Sequence, residues 1–515
     1  MTQVSQLTTV PACVRGLNSY DAISAMPEGF ALILRNFFAQ PYGCQLRKGY
    51  VEHQSVTGNP ETLMAHNKLV PKLYAVASLG VLDVTTPGGT PAVIPALTVT
   101  SNRWQHTNFG NVAGVSMLAV NGIDFPIWFK PDGTIVQLTA TDITGADAKT
   151  FIDVIAHQKR LWFIQKDTNL GWYLPAEQLI GAAKSFDFGG VFNRGGTLNQ
   201  LMTWTLDDGN GADDHLAAIS TEGEIAIYQG IDPATVGSWQ LQGVYYLGRP
   251  IGRRSATKYG GDLVVICEQG IVFLSKLLMS TKVNMNNIDE QKYIQQLLSN
   301  AATTNGTAFG WQTFVNPTDN QLLINVPAPG ANNYQYVMNT ITSAWSEFIG
   351  YSATCWELFG TRPFFAKNGK ICRAWEGNTD AAYYSAGKIL PGQAIRGDVQ
   401  TAFSYLNAPG LQKQVYMVRP TLLVNGPFNS AIRVNPDFNF TINNAPASSG
   451  ATVPGKWDTA IWDSGAVWGA ISGSTKKWVS VSCLGTAAAL RMSVVSSSEL
   501  FWTSTEWLYE VGGPF

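Results

Sequence analysis

Charge is scarce in this chain. Across 515 residues, Asp, Glu, Lys and Arg make up only 14%, where a soluble domain carries about 25%. The 34 basic and 36 acidic residues leave a net charge of −2, which argues against a protein that grips DNA by neutralising its phosphates. Disorder is excluded by the same composition. A disordered chain is rich in charge and poor in aromatics, whereas this one is 11% aromatic and 45% hydrophobic. Histidine is limited to His53, His66, His106, His157 and His215, none paired at ligand spacing, so no metal centre is expected. The six cysteines (Cys13, Cys44, Cys267, Cys355, Cys372, Cys483) are scattered and form no CxxC. They are expected as free, mostly buried thiols of a chain made in a reducing cytosol. The opening MTQVSQLTTVPACVRG has neither the basic nor the apolar region of a secretory leader. No run approaches the roughly 18 apolar residues of a membrane span, so no stable membrane insertion is expected. Val115–Phe129 comes nearest, but Asn121, Gly122, Asp124 and Pro126 suit a hairpin instead.

Motifs that carry chemistry are missing too. There is no G-x-S-x-G elbow, no P-loop, and no G-x-G-x-x-G between a strand and a helix. The acidic stretch Asp207–Asp214 (DDGNGADD) lacks the calcium-loop register and is expected as a hairpin turn. A glycosidase needs two carboxylates about 5–10 Å apart, and the sialidase-type Asp box does not occur. No catalytic residue, cofactor or metal ligand is assigned, and an enzyme is not expected.

What the chain has is 50 Gly, 25 Pro and 16 Trp, the composition of short strands joined by tight turns. One unit recurs: a β-rich run, a short polar turn and a second β-rich run. It occupies Leu73–Thr85, Met117–Phe129, Val154–Ile164, Ala217–Tyr228, Leu263–Leu274, Leu322–Met338 and Phe364–Trp375. Asn121-Gly122, Glu222-Gly223, Gln269-Gly270 and Asn368-Gly369 supply turn residues that accept positive φ. Successive turns lie about 40–60 residues apart, near the length of one propeller blade, with insertions around 171–210 and 276–318. The expected fold is all-β: a β-propeller of six or seven blades over residues 61–408, an N-terminal extended strap over 1–60, and a C-terminal β-sandwich-like domain over 409–515. Stacked sheets are the competing reading. One helix is expected from Asn287 to about Asn300, started by an Asn287-x-x-Glu290 cap and packed through Ile288, Tyr293, Ile294, Leu297 and Leu298.

Two clusters stand out as candidate sites. Arg249, Arg253, Arg254 and Lys258 put four cations into one short segment. They either touch phosphates along a DNA channel, pair with a neighbouring subunit, or form an ordinary solvated loop. Trp457, Trp462 and Trp468 lie on a Gly/Ser background with Asp458 and Asp463. They either fill a sandwich core or present an interface or sugar-binding surface.

Several segments read together resemble the tail hub or nozzle proteins of short-tailed (podovirus-type) bacteriophages, the group of packaged-DNA stabilisation proteins and tail tubular protein B. They are Met26–His53 (MPEGFALILRNFFAQPYGCQLRKGYVEH) with Pro60–Asn67 (PETLMAHN), Gly223–Arg254, Tyr259–Lys276, Gln335–Phe359 and Glu499–Gly513 (ELFWTSTEWLYEVGG). The stretches around 85–112 and 429–480 do not share in it. The resemblance implies a structural virion protein of the tail, made in the host bacterial cytoplasm. It implies a homohexameric ring below the portal and its adaptor or connector protein, contacting a tail fibre, spike or needle. Packaged genomic DNA would be retained by the ring and ejected through its lumen without sequence-specific contact. Low charge suits such a lumen, because a basic wall would hold DNA through counterion release. The alternative is a phage-associated propeller that binds or hydrolyses host surface glycans.

Overall fold

The computed structural model describes residues 5–207, 212–235, 237–279, 291–385, 387–441 and 473–512. Seven small antiparallel units follow one another along the chain. Their innermost strands are Thr62–His66, Gln105–Asn111, Phe151–His157, Leu198–Asp207, Ala256–Tyr259, Gln312–Asn316 and Cys355–Phe359. Each packs against the next, and the last packs back on the first. The ring is closed, and the fold is a seven-bladed β-propeller, numbered here as blades 1–7 in that order.

Blade 1 shows why such strands read as nearly continuous apolar runs. Successive side chains of a strand point to opposite faces, and in a propeller both faces are covered. Leu63, Ala65, Leu73 and Ala75 pack with Cys355, Phe364, Ala366 and Ile371 of blade 7. Their alternates Met64, Tyr74 and Val76 pack with Met117, Ala119, Ile127 and Phe129 of blade 2. The turn glycines Gly122, Gly223, Gly270 and Gly369 all take positive φ, as their hairpins require.

Every recurring sequence unit falls in one blade. In six it marks the second and third strands. In blade 3 it marks the first and second, Phe151–His157 and Arg160–Gln165, because the tight turn there precedes the second strand. The two suspected insertions differ in kind. The first holds the outer strands of blade 3, Leu170–Tyr173 and Lys184–Asp187, and the start of blade 4. In the second, blade 5 has three strands among the described residues, and helix Lys292–Asn305 packs against the outermost of them, Gly270–Phe273. Ile294, Leu298, Ala301 and Ala302 are its buried face. The described helix runs past the expected end near Asn300 to Asn305, and Gln291 before it makes no side-chain cap bond; Asn287, Ile288 and Glu290 lie outside the described residues.

The two ends of the chain divide differently from the expected three stretches. Tyr50–Ser55 pairs with Lys370–Ala374 as the fourth strand of blade 7, and a Glu52–Lys370 ion pair spans the joint. Closing the last blade with a strand from the other end of the sequence locks the ring. Residues 6–46 are built into the sandwich. One sheet contains Gln6–Pro11, Phe37–Gln40, Gly43–Leu46, Lys413–Val424, Gly473–Lys476, Val479–Gly485 and Leu500–Val511. The other contains Phe30–Arg35, Gln393–Thr401, Phe428–Pro436 and Ala488–Ser496. The second sheet continues into blade 6 through Gly16-Leu17, where Gly16 lies between Phe30 and Trp345. Gly16 has φ +80°, and a Cβ there would sit 2.5 Å from the Trp345 carbonyl oxygen. Only glycine fits.

Arg47 ties this joint. It is 1% exposed and donates to both carboxylate oxygens of Asp380, at 2.7 and 2.6 Å. It also donates to the carbonyls of Ile349 and Lys48 and to Asn36 Oδ1, and it lies over the Tyr351 ring. Its partners come from blade 6–7 connections, the sandwich entrance and the closing segment.

Candidate functional site

The innermost strands begin at the upper face of the propeller, and their first polar side chains stitch the blades together. Thr62 Oγ1 donates to the Asn102 carbonyl and accepts from the Trp104 amide, joining blades 1 and 2. Gln200 Oε1 accepts from Ser255 and the Ala256 amide, joining blades 4 and 5. Gln312 exchanges two hydrogen bonds with the Trp356 backbone, joining blades 6 and 7. Sequence reading missed these residues; the polar Thr62, Gln200 and Gln312 at the starts of their inner strands were the signal available.

Arg254 spans the mouth of the central channel. It precedes the inner strand of blade 5, yet its guanidinium donates to the Glu61 carbonyl (3.2 Å), Thr62 Oγ1 (3.0 Å), the Trp104 carbonyl (2.9 Å) and Gln105 Oε1 (3.4 Å) of blades 1 and 2. Below it the channel, about 570 Å³, is lined by Lys258, His106, Glu357 and Gln312 among others. His106 Nε2 lies 3.5 Å from Glu357 across this space.

Above Arg254 opens a cleft of about 410 Å³. Its walls are the segments leading into blades 2, 5 and 6, the Asn121–Ile123 turn of blade 2 and residues Ile152 and Lys166 of blade 3, and Arg103, Lys166, Arg253 and Arg254 line it with no Asp or Glu among the lining residues. Arg103 is paired with Glu61 at 3.1 Å and lies 4.2 Å over the Phe309 ring, with Arg254 5.5 Å from the same ring. The helix of blade 5 ends at this cleft and delivers Gly306–Trp311 to its wall. Beneath Arg253, Asp153 is buried at a bulge and accepts from the amides of Val154 and Leu201. Burial pushes its carboxyl up to about 7 despite those amides. On the same strand, burial pushes His157 down to about 4.

The four clustered cations therefore do not share one surface. Arg253 and Arg254 line the cleft, Arg254 and Lys258 line the channel, and Arg249 is an outer residue paired with Glu222 at 2.7 Å. They separate because Gly252 turns the chain (φ +73°) just before an extended strand begins. Trp457, Trp462 and Trp468 lie outside the described residues. Among the described residues no group of three or more His, Cys, Asp or Glu is placed to hold a metal ion, all six cysteines are free and buried, and no helix is long and apolar enough to cross a membrane.

No family model matches the chain, and no curated protein is similar to it. Solved structures resemble it at 10% identity. BBS1N, crystallised in complex with ARL6DN, aligns over 64% of this chain and 97% of its own at a TM-score of 0.38. The β-propeller domain of Myceliophteria thermophila Cps50 (Swd1) aligns over 64% and 98% at 0.40. These likenesses concern the propeller fold alone; the blade count rests on the closed ring of inner strands.

Proposed function

We propose that this chain is a structural subunit of a short-tailed bacteriophage tail, forming the nozzle ring below the portal and adaptor through which packaged DNA is retained and then ejected. The observation that carries the reading is where the nozzle-like segments lie. Met26–His53 and Glu499–Gly513 come from opposite ends of the chain, yet Cys44 and Gln45 pair with Trp502 and Phe501 in one sheet. A third such segment, Gln335–Phe359, supplies the blade 6 strand Trp345–Phe348 that joins the same seam. Three of the resembling segments therefore meet at one joint, where propeller and sandwich fuse, while Pro60–Asn67, Gly223–Arg254 and Tyr259–Lys276 lie in blades 1, 4 and 5. A ring that bears the pressure of packaged DNA needs such a rigid joint.

On this reading the propeller's own channel, crossed by Arg254, is not the DNA path; DNA runs in the space the ring encloses. Cyclic rings repeat two different patches around the axis. Leu69, Val70 and Val112, on the lower-face hairpin tips of blades 1 and 2, are exposed apolar residues suited to such contacts. Quantitative mass spectrometry of purified virions tests the assignment. The expected result is this chain in every particle at a fixed copy number relative to the portal. Its presence in infected lysate but not in purified particles would overturn the reading.

A further inference from the structure

The cleft above Arg254 has a charge pattern that neither the fold nor the nozzle reading uses. In a chain this poor in charge, four cations converge on one concavity whose lining contains no carboxylate. Arg103 is neutralised by Glu61. The other three are not. Arg254 spends its donors on neutral acceptors, two carbonyls, a hydroxyl and an amide oxygen, so its charge stays uncompensated. Arg253 and Lys166 are exposed, and neither side chain has an ion pair or hydrogen bond among the described residues. The nearest acids to Arg253 are Asp153 and Asp167. Asp153 is turned into the protein toward two amides, and neither acid is within ion-pair distance.

The site is also built. Arg103 and Arg254 are both held against Phe309, and Arg254 is fixed by four bonds across the mouth, so little side-chain freedom remains to be lost on binding. The volume lies within the range of small-ligand pockets, roughly 300–1,000 Å³. Three uncompensated cations suit a dianion better than a single carboxylate, and guanidinium forks match tetrahedral oxyanions.

We propose that this cleft binds the phosphate group of a small ligand, with Arg253 and Lys166 as its contacts and Arg254 as the fixed charge at its floor. The chemistry is shared by free phosphate and by a nucleoside monophosphate. The inference is independent of the nozzle reading, since it is tested on the recombinant chain alone.

The experiment is titration calorimetry at low salt with inorganic phosphate, adenosine monophosphate and a short single-stranded oligonucleotide, on the wild type, Arg253→Gln/Lys166→Gln and Arg249→Gln. Both substituted cleft residues are exposed, so the double variant is expected to fold, which circular dichroism checks. The expected result is wild-type binding of phosphate, the nucleotide or both, weakened about tenfold or more in the double variant and unchanged in Arg249→Gln. Tighter binding of the nucleotide than of phosphate identifies a nucleotide as the ligand; equal binding identifies phosphate itself. No binding of either at millimolar concentration, equal binding by the double variant, or binding of the oligonucleotide alone would overturn the proposal.

Discussion

Replacing Arg47 by methionine should loosen the joint between propeller and sandwich more than any other single exposed or buried charge change discussed here. Burial acts to lower the Arg47 proton affinity, but Asp380 and Tyr351 outweigh it and raise it above its ordinary value. Methionine keeps much of the side-chain volume but removes five hydrogen bonds. It leaves the Asp380 carboxylate facing an uncharged cavity and orphans the Ile349 carbonyl. Breaking a buried pair by removing one partner costs about 3–5 kcal/mol, a large share of the roughly 5–15 kcal/mol that holds a domain folded. The loss should be read as a lowered urea midpoint and as faster amide exchange in Tyr50–Ser55, the closing strand that follows Arg47. Arg47→Met/Asp380→Leu leaves no unpaired charge and should recover part of the loss, giving a coupling energy of about 2 kcal/mol or more. If Arg47→Met costs less than about 1 kcal/mol, or the double variant is as unstable as the two single losses added, the reasoning is wrong.

Three further outcomes follow from the structure. Asp153 keeps in the fold a proton that the unfolded chain releases near 3.8, so it lowers stability as pH rises from about 4 to about 7. His157 refuses in the fold a proton that the unfolded chain takes up near 6.5, so it lowers stability as pH falls from about 6.5 to about 4. Relative to wild type, Asp153→Asn should therefore gain stability as pH rises through its window and His157→Asn as pH falls through its own; urea curves parallel to wild type at every pH would contradict both. Arg254→Ala should destabilise by about 1–3 kcal/mol and expose the blade 1 and 2 segments 60–63 and 103–106 to hydrogen exchange, with Arg254→Lys rescuing little because a single ammonium cannot reach several acceptors in a plane. The six thiols should resist an aqueous disulfide reagent in the native protein and react only on unfolding, because burial raises those of Cys267, Cys355 and Cys483 to about 11 and the other three further.

The blades were legible because a hairpin is local. Leu263–Leu274 carries its two strands and its Gly270 turn within 12 residues, and the other units span 11 to 17 residues. What was not legible depends on pairing between distant residues. Nothing in YVEHQS marks it as the fourth strand of a blade whose other strands begin at Cys355, and nothing in QLRKGY distinguishes Arg47, whose carboxylate partner is Asp380. The basic segment misled for the opposite reason. Arg249, Arg253, Arg254 and Lys258 are neighbours in sequence, but a glycine turn and an extended strand send them to an outer loop, a cleft and a channel. The cleft's other cations, Arg103 and Lys166, come from blades 2 and 3, beyond the reach of any local pattern. The helix was found over Lys292–Asn305, and its expected Asn287-x-x-Glu290 start lies outside the described residues.

Cryo-electron microscopy of purified tails tests the central claim most directly. The account predicts a ring below the adaptor in which seven-bladed propellers repeat about the tail axis, each fused to a β-sandwich, with DNA in the space between subunits and none in a propeller's own channel. A tail whose nozzle position is filled by a different chain, with this one absent from the particle, would contradict it.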